Sequence, residues 1–120
     1  MVEKFKLITN EIEAQKGNFT LFAIMRMDDF IDKWSVLVSA DWITDENRTE
    51  IFNLVASKMR ENLSEEENKS IARIGIFPVQ DHITELFLKY KEGFHLQNEK
   101  VNGFKVHEAY ILKSKPIETN

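Results

Sequence analysis

Residues 19–42, FTLFAIMRMDDFIDKWSVLVSADW, decide the fold. Two runs rich in β-branched and aromatic residues, 19–27 and 34–42, flank a short polar connection from Asp28 to Lys33. Such side chains suit a pleated, half-buried surface, so the pair reads as an antiparallel hairpin. With Met27 placed opposite Trp34, the cross-strand pairs become Met25 with Val36, Ala23 with Val38, Leu21 with Ala40 and Phe19 with Trp42. That face is wholly apolar and is expected to pack under helices. Because side chains alternate along a strand, the other face holds Phe22, Ile24, Arg26, Leu37 and Ser39.

The flanking sequence supplies the helices. Residues 2–16 carry Phe5, Ile8 and Ile12 at helical spacing, with Gly17 placed to end the helix. Thr44 or Asp45 can cap a second helix whose apolar stripe is Ile51, Val55, Met59 and Leu63. Ser64 and Glu67 have capping-box spacing, which predicts a short extra turn. A third strand, 71–79, is closed by Pro78 and contains Gly75, where a bulge or close approach is expected. A further helix spans about 81–90. Asn102-Gly103 then turns a hairpin between strands 94–101 and 104–114.

The order is α-β-β-α-β-α-β-β. This predicts an α+β two-layer domain over residues 1–115, with about five strands in an antiparallel or mixed sheet and two to three main helices. Residues 116–120 form a polar tail.

Composition narrows the function. Hydrophobic residues make up 42% of the 120, enough for one packed core at a common single-domain size. Net charge is −4 with both signs interspersed, so no basic funnel for nucleic acid is expected. The absence of cysteine removes disulfides and thiolate chemistry. The longest apolar stretch, Leu21 to Met25, is far below the roughly 20 residues of a membrane span, and a cytoplasmic location is expected.

No reactive constellation emerges. Asp28, Asp29 and Asp32 lack the spacing and turn glycine of a calcium loop and read as a hydrated connection. His82, His95 and His107 have no metal-ligand spacing, the serines lack a nucleophile elbow, and the four glycines are scattered. No metal or other cofactor is expected. Trp34 and Trp42 share a strand face with Val36, Val38 and Ala40, which favours core packing over a stacking platform.

The stretch LFAIMRMDDFIDKWSVLVSADWI has a strand ending in Arg-x-Asp and a Trp-led strand closing in Val-Ser-Ala-x-Trp-Ile. In these features it resembles an uncharacterised family of small prokaryotic proteins, a resemblance that implies no activity or site residues.

The sequence therefore points to a non-catalytic domain that associates with itself or with a partner protein. The candidate association face is Phe22, Ile24, Arg26, Leu37 and Ser39, apolar at the centre and polar at the ends. A helix or the C-terminal segment covering that face is the competing structural reading. The functional alternative is a small-molecule-binding or enzymatic domain with a pocket between sheet and helices or at a dimer seam.

Overall fold

In a computed structural model, residues 1–27, 33–101 and 103–115 are described. The acidic connection at 28–32, Asn102 of the hairpin turn and the tail from 116 lie outside them. The elements are α1 (Val2–Lys16), β1 (Leu21–Met27), β2 (Trp34–Ala40), α2 (Arg48–Asn62), α3 (Glu65–Lys69), β3 (Ile71–Pro78), α4 (His82–Leu88), β4 (His95–Val101) and β5 (Phe104–Ser114). The five strands form one mixed sheet in the order β3-β2-β1-β5-β4, so the α+β class and the element order follow the sequence reading. Only β2 and β3 run parallel, and α2 with α3 provides the crossover that a parallel pair requires.

Local signals explain most boundaries. Gly17 follows α1 at φ 115, a conformation that glycine adopts without steric cost. Ser64 and Glu67 form the reciprocal capping box that starts α3. Lys4 Nζ lies 2.6 Å from the Glu67 carboxylate. Together with the Ser64 backbone N–H, it holds that carboxyl at about 2. The α2 cap falls on Asn47, whose side chain accepts from Thr44 N while Thr44 Oγ1 accepts from Asn47 N.

The β1–β2 register differs from the expected one by one residue. Ile24 stands opposite Val36, Phe22 opposite Val38, and Leu21 opposite Ser39. A single-residue slip moves a strand's side chains to the other face, and it does so here. Phe22 and Ile24 join Val36 and Val38 beneath α1 and α2, in a core with Phe5, Ile8, Ile12, Ile51, Val55 and Met59. Leu21, Ala23, Met25 and Leu37 face the opposite way, into a second core with Phe87 of α4 and with Leu96, Val106 and Ala109. The main helices cover one face as expected. The short α4 adds partial cover on the other, so the central strand is apolar on both sides. Trp34 and Trp42 pack against the first core, in keeping with the core reading of that pair.

The β4–β5 hairpin pairs Val101 with Phe104, and Gly103 sits at φ 85. No heavy atom lies within 4 Å of where its Cβ would be, so any penalty for a side chain there comes from the backbone alone. Replacing Gly103 with valine is expected to lower stability by about 1 kcal/mol or more, read as a shift in the urea midpoint. An unchanged midpoint would remove this account of the turn.

Candidate functional site

The five residues of the expected association face do not form one surface. Phe22 and Ile24 are fully buried under the helices, whereas Leu37 and Ser39 are buried on the reverse side of the sheet. This corrects the sequence reading: the register slip carries Phe22 and Ile24 under the helices, and cover that includes α4 buries the side that holds Leu37. Arg26 alone remains at a surface, one-third exposed, at the end of β1 where the helices no longer cover the sheet.

Arg26 leads to a polar cluster that the sequence reading did not find. Its guanidinium lies 5.3 Å from the centre of the Trp34 ring, and its Nη2 donates to Glu108 Oε2. The hydroxyl of Tyr110 donates to Glu108 Oε1 at 2.8 Å, and His95 Nε2 lies 3.1 Å from the same oxygen. An ionised carboxylate only accepts, so His95 Nε2 is the donor in this contact. The His95 and Tyr110 rings are stacked, 4.1 Å between centres and 9° from parallel.

Backbone pairing builds this cluster. His95 stands directly opposite Tyr110, and Gln97 opposite Glu108, which makes His95 and Glu108 diagonal neighbours within reach of a long side chain. On the other side of β5, Arg26 pairs with Glu108. The pairing then skips His107, because Met27 stands opposite Val106, a one-residue bulge. Asn98, opposite that bulge by the hairpin register, has φ 52.

Burial on its own pushes the Glu108 carboxyl up. The hydrogen bonds from Tyr110, Arg26 and His95 outweigh it and hold the group below its ordinary value. Tyr110 is correspondingly pushed up, chiefly by its bond to Glu108. A carboxylate already holding three donors is a structural hub rather than an available base. Its role is to fix the two aromatic rings in place.

Those rings form part of the floor of a groove of about 530 Å³ between α1 and the β4–β5 hairpin. Lys6 and Asn10 line the helix side, and Phe94 and Lys113 belong to the same lining. This is the sheet–helix pocket that the alternative sequence reading allows for. Among the described residues, no group of three or more His, Asp or Glu side chains is placed to hold a metal.

The second feature is the outer edge of β3, which no described strand pairs. It carries IARIGIFP, with Arg73 as its only charged residue. Phe52 of α2 lies beside it, 41% exposed. Shallow depressions lined by Phe52, Ile71, Ile74 and Ile76 run along this boundary. Gly75 is close-packed, as its position suggested: a Cβ there would meet the Phe77 ring at 2.6 Å.

No helix among the described residues is long and apolar enough to cross a membrane. No family model matches the chain, and neither the curated proteins nor the solved structures yield a match.

Proposed function

We propose that the chain is a non-catalytic association domain that forms a homodimer through the outer edge of β3. The supporting observation is the contrast between the sheet's two edges. The β4 edge is guarded by Glu99, Lys100 and the irregular Asn98, devices that discourage further pairing. The β3 edge has eight residues and one charge, and an exposed phenylalanine flanks it.

A second copy suits this edge. A two-fold axis at Gly75 runs β3 antiparallel to itself and sets Ile74 opposite Ile76 of the other copy. Arg73 then falls opposite Phe77, a ring that Arg48 already approaches at 5.9 Å within one chain. No like charges meet, and the Phe52 side chains lie on the same side as the paired isoleucines. The contact is isologous and closed, so it stops at two copies. The proposed compartment is the cytoplasm, in line with a cysteine-free chain.

Sedimentation at tens of micromolar is expected to show a dimer. Phe52→Glu is expected to yield a monomer with an unchanged circular dichroism spectrum, since that side chain is half exposed. A wild type that sediments as a monomer overturns the proposal, as does a Phe52→Glu variant that stays dimeric.

A further inference from the structure

We infer that the groove between α1 and the β4–β5 hairpin binds a small planar ligand bearing an anionic group, an aromatic carboxylate in its simplest form. The groove lies at the far side of the sheet from β3, so the inference is independent of the dimer.

Shape and surface chemistry indicate the planar part. At about 530 Å³ the groove falls within the range of small-molecule sites, roughly 300–1,000 Å³. Its floor presents the His95–Tyr110 stack, and Glu108 holds both rings by hydrogen bonds, so the platform is set before any ligand arrives. Phe94, also in the lining, keeps its ring 5.7 Å from Tyr90, which packs against the second core, so the stacking surface is the His95–Tyr110 pair. A fixed aromatic floor offers a flat ring a stacking contact.

Local charge indicates the anionic part. The protein as a whole carries −4, yet the groove is lined by Lys6 and Lys113, with Glu92 as the only acidic lining residue. Among the described residues Lys6 is bound only to Glu3, three residues away, and both side chains are more than half exposed. Such pairs contribute little and exchange readily for a better partner. Lys113 is held more firmly, 3.5 Å from Glu13 and 3.9 Å from Glu92. Lys6 is therefore the cation available to a ligand, with the Asn10 amide one turn further along the same helix face. A ring lying on the His95–Tyr110 platform with its carboxylate toward Lys6 uses every feature of the groove.

The test is an amide-resolved NMR titration of the full chain with 2-naphthoate. Parallel titrations use the neutral 2-naphthalenemethanol and the ring-free acetate. The expected result is saturable shifts at residues 93–95, 110–113 and the first half of α1 with naphthoate, and much weaker ones with either control. Lys6→Glu, at an exposed position, is expected to weaken naphthoate binding about tenfold, equivalent to about 1.4 kcal/mol. The absence of saturable shifts at millimolar naphthoate overturns the inference, and so do shifts centred outside the groove. Equal binding of the neutral alcohol, or full affinity in Lys6→Glu, overturns the anionic assignment.

Discussion

Replacing Ile24 with lysine is expected to unfold the protein. Ile24 is fully buried in the core beneath α1 and α2, on the central strand of the sheet. The described core around it is apolar, and lysine there combines lost apolar burial with an unpaired charge. Together these cost more than about 4 kcal/mol, a large fraction of the 5–15 kcal/mol that stabilises a typical domain. The measurement is far-UV circular dichroism during a thermal melt. A control on the same helix-covered side is Leu7→Lys, where the native side chain is 49% exposed and little change is expected. A folded Ile24→Lys protein with a near-native melting temperature would mean that this face of the sheet is open.

Glu108→Ala is expected to cost about 2 kcal/mol at neutral pH, with a pH signature of its own. The change removes the acceptor for Arg26, Tyr110 and His95 together. The figure stays below the 3–5 kcal/mol or so typical of a fully buried pair, because Arg26 is one-third exposed and water can reach it. The folded-state carboxyl lies below its ordinary 4.5. The stabilisation is therefore fully present above that pH and is lost as pH falls through the lower folded value. The gap between wild type and variant in urea unfolding should be constant near neutrality and narrow in acid below about pH 4.5. A gap that widens in acid would contradict the assignment of Glu108 as the ionised hub.

Features specified by neighbouring residues were legible in the sequence. The span of α1, the capping box at Ser64 and the hairpin around Asn102-Gly103 each depend on a handful of adjacent positions, and each element lies where the sequence puts it. The β1–β2 register was not legible. Residues 21–25 are buried without interruption, so polarity does not say which face looks toward which helix. With helices against both sides, the alternation that normally fixes register is absent. The expected association face failed for two reasons: the slip carried Phe22 and Ile24 beneath α1 and α2, and the side that holds Leu37 is covered by α4.

The Glu108 cluster was nearer to hand than it seemed. The turn expected at Asn102-Gly103 implies that Val101 stands opposite Phe104, the pairing observed. Counting back along the strands then puts His95 opposite Tyr110 and diagonal to Glu108. Spacing rules such as HxH look along the chain and miss a contact made across a hairpin. Arg26 could not have been added by any such count, because β1 and β5 meet through tertiary structure only.

The central position of β1 governs when this protein can fold during synthesis. Its neighbours are β2, next in the chain, and β5, which starts at residue 104. A nascent chain leaving the ribosome exposes the β1–β2 hairpin long before β5 emerges, and one side of β1 stays unzipped throughout. Both hairpins close locally and early, whereas the seam between β1 and β5 joins residues 79 to 93 positions apart and so forms slowly. Folding is thus held back until β5 has been synthesised, and any stall before residue 104 leaves a polypeptide whose most apolar strand is open to other chains.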